Sequence, residues 1–342
     1  MPGCCGSRAD AWGMIPINSN TYKGGLILVS GVSYFPIGLF TSVMGLCGLS
    51  IAYQRFEQVL GLHLGVGLVL LMVSYVVFAM VSTTYLVKLV KHTRQVVDEF
   101  THPVKASFFP AISISLLLLS IGTLEVWRAA AQYLWIAGAG LQIIFTIIIM
   151  SRWMNHSYEI VHSNPAWFIP VVGNIIVPIA GVEFAHKEVA WFFFSVGLFF
   201  WFVLVTVIFS RIIFHSQLSP QLMPTLFILM APPAVGFIAY TKIIGEMDGF
   251  ARVLFYVAIF FVFLLFSMAR NFTRINFFVS WWAYTFPMCA VTIATTLAFK
   301  FTGLILFAWL ATLLLTMTTL IVAMVTIKTI HAFHRNMVCI PD

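Results

Sequence analysis

Phenylalanine–proline pairs recur inside strongly apolar stretches of this 342-residue chain, at Phe35-Pro36, Phe109-Pro110 and Phe286-Pro287. A proline within a helix removes a backbone N–H donor and crowds the carbonyl four residues earlier. In a membrane, such a freed carbonyl is tolerated only against other protein or a water-filled cavity. The pairs therefore indicate helices that face protein or water, with bulky rings beside the breaks.

Side chains suited to covalent or metal chemistry are scattered along the chain. The nine histidines show no metal-ligand spacing, and the five cysteines form no C-x-x-C pair. No stretch resembles a phosphate-binding loop, a nucleophile triad or a carboxylate pair. We therefore predict that the protein is not an enzyme, holds no metal or cofactor and binds no nucleic acid. Glu125 and Arg128 are close in sequence and are expected to form a local ion pair.

The composition is that of a protein embedded in a lipid bilayer. Hydrophobic residues make up 61% of the chain and charged residues 8%, whereas about a quarter of the residues in a soluble domain are charged. A membrane span needs about 20 apolar residues. Ten spans are predicted, at 26–53, 60–87, 104–122, 130–150, 166–182, 190–210, 222–240, 252–268, 276–299 and 303–330. They form one ten-helix domain at 25–332, between short tails at 1–24 and 333–342.

The distribution of lysine and arginine predicts how these spans are oriented. Of the 18 basic residues, six fall on one side of the membrane, namely Arg55, Arg128, Lys187, Lys242, Arg252 and Lys300. The other 12 fall on the side of the two termini, which the positive-inside rule makes cytoplasmic. We expect a multi-pass protein of the plasma or inner membrane with both termini in the cytoplasm.

The prolines separate the spans into two classes. Eight prolines lie inside spans, and all are in odd-numbered ones: Pro36, Pro110, Pro170, Pro178, Pro224, Pro232, Pro233 and Pro287. The odd spans should therefore be inner helices, and the even spans should form an outer, lipid-facing wall. This alternation predicts five helical hairpins around a centre.

Apart from Lys105, the second residue of the third span, the odd spans contain no Asp, Glu, Lys, Arg or His. Proton-coupled carriers usually bury an ionisable residue in their transport path, so an uncharged pore is predicted instead. Its walls would consist of phenylalanine, small residues and a set of hydroxyl side chains, namely Ser33, Thr41, Ser113, Thr285, Thr292 and Thr295. These features leave the origin of any selectivity for anions open.

Phenylalanine also accompanies the prolines of the other odd spans. Phe168 lies two residues before Pro170, and Phe227 precedes the Pro232-Pro233 pair. Two interpretations stand side by side. The rings of Phe35, Phe109, Phe168, Phe227 and Phe286 are either core packing beside the breaks or a collar that points into a central axis.

Five segments of the odd spans resemble a known family: SYFPIGLF, DEFTHPVKASFFPAIS, SNPAWFIPVVGNIIVPIAG, LMAPPAVGFIAY and SWWAYTFPM. They are similar to the tellurite-resistance/dicarboxylate transporter family, which includes the slow-type anion channels of plant guard cells. The WWAYTFP stretch is the most specific of them. The resemblance extends over essentially all ten spans.

The resemblance implies ten helices in five hairpins, with quasi-fivefold symmetry around a central pore that is lined by kinked, uncharged inner helices. It implies a homotrimer with one pore in each protomer. It also implies that a phenylalanine on the ninth helix closes the pore, and this residue corresponds to Phe286. The implied substrates are small anions such as chloride and nitrate, with malate in some members.

The leading hypothesis is therefore an anion channel gated by Phe286. Pro287 is expected to bias Phe286 away from regular helical geometry, and Trp282, on roughly the same face, is expected to support the ring. The alternatives are a proton-coupled carrier for C4-dicarboxylates such as malate, a carrier for sulfite or tellurite efflux, and a resistance protein that alters membrane permeability without direct transport.

Overall fold

The computed structural model describes residues 31–273, 275–335 and 337–339, so the predicted tail at 1–24 lies outside the described residues. Within these ranges the regular structure is helical. The ten apolar helices, in chain order, are α1 (Ile37–Leu60), α2 (Val66–Lys91), α3 (Lys105–Thr123), α4 (Arg128–Asn155), α5 (Pro165–Gly181), α6 (Lys187–Phe214), α7 (Met223–Ile244), α8 (Gly249–Ser267), α9 (Val279–Thr302) and α10 (Ile305–His334).

Among the described residues, nine of these helices are long and apolar enough to cross a membrane, and α5 is shorter. The predicted all-α membrane protein is confirmed. The α-helix of α5 is also discontinuous, because Pro170 and Pro178 lack the N–H groups that a continuous helix needs. It begins with a 3-10 turn at Pro165–Trp167, and a second 3-10 turn at Gly173–Ile176 separates its two α-helical parts.

Burial alternates along the chain as the prolines predicted. Between 78% and 89% of the central residues of α1, α3, α7 and α9 are buried, against 22% to 39% in the even-numbered helices. Every residue of α5 is buried as well. The odd helices are therefore the inner ones, and the even helices carry the exposed apolar surface that a bilayer would cover.

The helices form five consecutive hairpins, each with one inner and one outer member. Every inner helix packs against the outer helix that follows it. The inner helices also pack on one another in the order α1, α3, α5, α7 and α9, and contact between α9 and α1 closes the ring. Because each hairpin returns the chain to its starting side, the five inner helices run in parallel. Their N-terminal ends meet at one end of the ring and their C-terminal ends meet at the other.

The prolines of three inner helices mark a change of helix type. Pro232 is the second residue of the α-helical part of α7, Ala231–Ile244, and Pro287 is the third residue of Thr285–Thr302 in α9. A 3-10 segment precedes each of them, and Pro110 occupies the corresponding junction in α3. A proline in the first helical turn costs little, because its missing N–H would have no partner there.

Carbonyl groups along the broken helix α5 accept hydrogen bonds from side chains of the outer helix α4. The Pro170 carbonyl accepts from Gln142 Nε2 at 3.0 Å and from Thr146 Oγ1 at 2.7 Å. The Val177 carbonyl accepts from Trp135 Nε1 at 2.9 Å. Buried main-chain oxygens are costly without such partners, so the polar residues of α4 are what make an interrupted inner helix tolerable.

A buried ion pair holds the N-terminal end of α1. Lys88 Nζ lies 2.7 Å from Glu99 Oε2 and also donates to the Phe35 carbonyl at 2.8 Å. The other Glu99 oxygen accepts the Ile37 N–H at 2.8 Å, and Tyr85 donates its hydroxyl to Glu99 Oε2. A buried pair needs such additional hydrogen bonds to offset its desolvation. Glu99 lies on a short helix between α2 and α3, so this loop is fastened to the start of the ring.

Candidate functional site

Two cavities lie in succession inside the ring of inner helices. The first, of about 60 Å³, lies toward the N-terminal ends of the helices, and the second, of about 70 Å³, lies toward their C-terminal ends. Each is lined by residues from all five inner helices. The cavities therefore follow the axis about which the hairpins are arranged.

The wall of the first cavity carries no charged side chain among the described residues. Each inner helix contributes to it, for example with Thr41, Phe108, Phe168, Pro232 and Pro287. The Thr41 hydroxyl is the exception to an almost wholly apolar lining, and it donates to the Gly38 carbonyl of its own helix. An ion in this cavity would exchange its hydration shell for apolar surface and few polar groups.

The wall of the second cavity is different, because three basic residues belong to it. Arg55 comes from the last turns of α1, Lys242 from the end of α7 and Lys300 from the end of α9. The remaining wall is apolar apart from Gln58. No Asp or Glu of the described chain is among the residues that line this cavity.

Phe286 lies at the boundary between the two cavities. It lines both of them, together with Ile176 of α5 and Val235 of α7. Within the stretch 281–296 of α9, Phe286 alone is not classed as buried. Its ring is thus turned toward the axis, at the level where one cavity ends and the other begins.

Two glycines on α1 allow the helix to approach α9 beside this ring. A Cβ atom on Gly48 would lie 3.3 Å from Phe286 Cδ2 and 3.0 Å from the Cβ of Cys289. A Cβ atom on Gly45 would clash with the Thr285 hydroxyl. These glycines face the neighbouring helix, where the absence of a side chain permits close packing.

The predicted distortion at Phe286 is wrong, since Phe286 lies inside the α-helical segment Thr285–Thr302. The reason is that Pro287 lies in the first turn of this α-helical segment, where no α-helical turn precedes it and its missing N–H costs little. Trp282 lines the first cavity together with Phe286. Its indole Nε1–H donates to Thr329 Oγ1 of α10 at 3.0 Å, which fixes the position of the indole.

The other candidate phenylalanines are divided between the axis and the core. Phe168 lines the first cavity, whereas Phe35, Phe109 and Phe227 line neither cavity. Phe109 packs edge-on against Phe100 and Tyr85, toward the outer elements. In α3 it is the preceding residue, Phe108, that lines the first cavity.

Phe227 packs among the aromatic rings of Phe266, Phe272 and Tyr284, away from the axis. Tyr284 belongs to α9, so this cluster joins α7 to the helix that carries Phe286. The ring of Phe227 is buried and lines neither cavity. Its surroundings are those of a core residue.

The candidate prolines are divided in the same way. Pro232 and Pro287 line the first cavity, whereas Pro36, Pro110 and Pro170 lie outside both cavity walls. Pro36 immediately precedes α1, with an extended backbone. The two prolines on the axis belong to the helices whose 3-10 segments are longest among the inner helices.

Most of the hydroxyl side chains expected on the pore wall bond to the main chain instead. Ser113, Thr285, Thr292 and Thr295 are buried and donate to carbonyls three or four residues earlier in their own helices. Of the predicted set, Thr41 is the one that lines a cavity. The described residues also contain no group of three His, Cys, Asp or Glu side chains that could hold a metal ion.

The predicted absence of charge from the inner helices does not hold at their C-terminal ends. The predicted spans stop at residues 53, 240 and 299, whereas α1, α7 and α9 continue to Leu60, Ile244 and Thr302. The helices therefore include the three basic residues of the second cavity. Hydropathy alone predicts that each span ends before its first charged residue, which places these three residues in loops.

The expected local ion pair between Glu125 and Arg128 is also wrong. Glu125 Oε1 lies 2.9 Å from Arg55 Nη1, and Arg128 Nη1 lies 3.2 Å from Glu183 Oε2. Both partners are distant in sequence and are brought close by the packing of the hairpins. The first of these pairs borders the second cavity through Arg55.

Residues 34–330 match the family model SLAC1, described as voltage-dependent anion channel. The S-type anion channel SLAH2 of Arabidopsis thaliana is 30% identical over 269 residues, which are 76% of this chain and 52% of that protein. The guard cell S-type anion channel SLAC1 of the same plant is 30% identical over 272 residues, 76% of this chain and 49% of that protein. The chain thus spans about half the length of these plant channels.

A bacterial relative is matched over more of its own length. The tellurite resistance protein TehA homolog of Haemophilus influenzae is 25% identical over 265 residues, 76% of this chain and 80% of that protein. These matches agree with the resemblance noted in the sequence. The names of these three relatives describe channels and a resistance protein, and none of the three is named as an enzyme.

Proposed function

Because the chain belongs to the voltage-dependent anion channel family, we propose that it is an anion channel whose pore is the axis of the five inner helices. The permeant species are small anions such as chloride and nitrate, with malate as a further substrate. Phe286 occludes the pore between the two cavities and acts as its gate. Trp282 supports the gate from the side of the first cavity.

The position of Phe286 is the observation that carries this proposal. The Phe286 ring lines two successive cavities, and Phe286 is the one residue of the stretch 281–296 that is not classed as buried. The ring is therefore well placed to separate the two cavities. An apolar constriction stops ions by excluding water. Moving one ring requires a side-chain rotation that costs about 1 kcal/mol if it passes off-rotamer, so a single side chain suffices as a gate.

The ionisable groups on the axis favour a channel over a proton-coupled carrier. The first cavity has none among its lining residues, and those of the second are a guanidinium and two ammonium groups. Proton relays in carriers are built from Asp, Glu and His side chains, and no such residue of the described chain lines either cavity. A carrier of C4-dicarboxylates, or of sulfite or tellurite, is the alternative that an experiment must exclude.

The test is current recording from the purified full chain in planar bilayers, with chloride, nitrate and malate gradients in turn. We expect currents that reverse near the equilibrium potential of the anion and that an imposed pH gradient leaves unchanged. Uptake into proteoliposomes that depends on a proton gradient, without unitary currents, would instead establish a carrier. Vesicles that stay impermeable under every gradient would favour a resistance protein without direct transport.

Two further features complete the proposed assembly. The protein forms a homotrimer in the plasma or inner membrane, with one pore in each protomer. Both termini face the cytoplasm, which puts the first cavity on the cytoplasmic side. Support comes from the family resemblance and from the bias of basic residues toward the terminal side. Chemical cross-linking in membranes and protease access to terminal tags would test stoichiometry and orientation separately.

A further inference from the structure

We propose that Arg55, Lys242 and Lys300 form an anion-collecting vestibule at the C-terminal end of the pore, a site for hydrated inorganic or carboxylate anions before they reach Phe286. The inference rests on the proposed function, since it assigns a first binding region to the same path. Its basis is the second cavity, whose wall takes three basic side chains from three inner helices and no acidic one.

Arg55 is held at this wall by two hydrogen bonds. Its Nη1 lies 2.7 Å from Gln58 Oε1 and 2.9 Å from Glu125 Oε1. The Arg55 side chain is 15% exposed, whereas that of Glu125 is 54% exposed. The guanidinium is thus fixed on the cavity side, and the carboxylate that partly neutralises it lies toward solvent.

Lys242 and Lys300 are the less neutralised part of the cluster. Within the described chain, neither ammonium group has an ion pair or a hydrogen bond. Lys242 is partly buried and Lys300 is exposed at the rim. The Glu183 carboxylate, also from this end of the ring, lies against Arg128 outside the cavity. Positive charge is therefore concentrated on the cavity wall.

The ends of the inner helices explain why basic residues are needed here. Five parallel helices direct their C-terminal carbonyls toward this end, and each helix end carries about half a negative charge. This partial charge repels anions. Lys242 and Lys300 lie in the last turns of α7 and α9, where a cation both stabilises the helix end and reverses the sign of the field that an entering anion meets.

The consequence is a raised local concentration of anions that depends on ionic strength. A single charge about 10 Å away changes the energy of an anion in water by about 0.4 kcal/mol. Two lysines together should therefore raise the local anion concentration about fourfold in dilute salt. At about 1 M salt the Debye length falls to about 3 Å, and the effect should nearly vanish.

The first experiment measures this field without requiring any current. The substitution Val59→Cys introduces a thiol into the second cavity. This thiol is reacted with two methanethiosulfonate reagents, one that carries an anionic sulfonate and one that carries a cationic trimethylammonium group, and the two reaction rates are measured by mass spectrometry. We expect the anionic-to-cationic rate ratio to fall about 15-fold at low salt when Lys242→Gln and Lys300→Gln are added, because the anionic reagent slows about fourfold and the cationic one accelerates about fourfold. The ratio should recover with Lys242→Arg and Lys300→Arg.

Phe108→Cys provides the matched control, because Phe108 lines the first cavity, where no charged residue is part of the wall. Its rate ratio should not respond to the lysine substitutions. If Lys242→Gln prevents folding, Lys300→Gln at the exposed rim position serves alone, with about half the effect on a logarithmic scale. A Val59→Cys ratio that stays unchanged in folded, lysine-neutralised protein overturns the inference.

The second experiment compares conductance at about 20 mM and about 1 M chloride, applied to the vestibule side alone. Neutralising both lysines should lower the current about fourfold in dilute chloride and leave it almost unchanged in concentrated chloride. A current that falls equally at both concentrations contradicts the vestibule. The thiol-labelling ratio can be measured on protein that does not conduct ions. The vestibule can therefore be tested even if the channel proposal fails, and the two failures are distinguishable.

Discussion

The walls of the two cavities on either side of Phe286 differ in charge. The wall of the first has no charged residue, and that of the second has three basic ones, namely Arg55, Lys242 and Lys300. The backbone accounts for the difference. Helix N-termini carry partial positive charge and C-termini partial negative charge, so the parallel inner helices favour anions at one end and repel them at the other. Basic side chains are therefore required at the C-terminal end, where the partial negative charge of the helix ends repels anions.

Charges at the N-terminal end of the ring are also placed differently. Lys88 and Glu99 are buried and neutralise each other between α2 and the short helix Thr93–Thr101, with neither residue on a cavity wall. They hold the start of α1 through the Ile37 N–H and the Phe35 carbonyl. The Lys88–Glu99 pair thus has a structural role at the N-terminal end of the ring, whereas the basic residues at the C-terminal end line a cavity.

The largest effect is expected from removing the ring that keeps the two cavities apart. Phe286→Ala should join them into one continuous path and raise anion conductance on the order of a hundredfold, because an equilibrium that moves from 1:99 to 99:1 open spans that range. The measurement is macroscopic current per reconstituted protein molecule in symmetrical chloride.

Phe227→Ala is the control for this variant. Phe227 is a buried phenylalanine of another inner helix, packed against Phe266, Phe272 and Tyr284 and remote from both cavity walls. It should lower stability by about 3 kcal/mol and add little conductance. Wild-type current from correctly folded Phe286→Ala protein would mean that the Phe286 ring is ordinary packing.

The sequence was informative about which helices face inward. Proline positions such as Pro232 and Pro287 predicted the inner class because a missing N–H is a local property of the backbone, and its environment follows from the energetics of the membrane. Phe286 was identified through the family resemblance. That Phe108 lines the first cavity while Phe109 packs in the core depends on the rotation of α3 about its axis, which tertiary packing decides.

The basic residues of the second cavity could not be predicted to line it, because hydropathy predicts that a span ends before its first charged residue. Lys242 and Lys300 interrupt apolar runs in this way, whereas α7 and α9 continue for two residues beyond each. Long basic side chains extend toward water from a helix end at small cost. The partners of Glu125 and Arg128 could not be read from spacing either, since hairpin packing brings them together.

The next prediction concerns the buried Lys88–Glu99 pair, whose role is expected to be structural and independent of the basic residues that line the second cavity. Glu99→Gln should destabilise the protein by about 2 kcal/mol, because Lys88 loses the charged hydrogen-bond partner that offsets its burial. The readout is the thermal unfolding midpoint of the detergent-solubilised protein. We expect no change in the thiol-labelling ratio at Val59→Cys, and a changed ratio would mean that the two ends of the ring are electrostatically coupled.

A smaller effect concerns the order in which anions pass the constriction. If dehydration between apolar walls sets this order, nitrate should permeate more readily than chloride, and chloride more readily than sulfate. Reversal potentials under bi-ionic conditions measure it. Lysine neutralisation should lower the current and keep the sequence of anions. A reversed sequence would indicate that a specific binding site, and not the apolar first cavity, selects among anions.

The smallest effect is expected at Asp248, an acidic residue that follows α7 and lines neither cavity. Its carboxylate caps α8 by accepting the Ala251 N–H at 2.9 Å, and it also accepts the Tyr240 hydroxyl at 2.7 Å. The Ala251 N–H, followed by the Tyr240 hydroxyl, lowers the pKa of the Asp248 carboxyl below its usual value. The ionised form is therefore the one that the folded state stabilises.

Because the folded-state pKa is the lower one, Asp248 contributes stability above its unfolded pKa of about 4 and loses it as the pH falls through the folded value. Asp248→Asn keeps a capping side chain without the charge. The wild type should unfold at a slightly higher temperature than this variant at neutral pH, and the difference should disappear in acid. A difference that does not vary with pH would show that the carboxylate charge plays no part. Since Asp248 lies outside the second cavity, its neutralisation should also leave the labelling ratio at Val59→Cys unchanged, whereas loss of Lys242 and Lys300 should not.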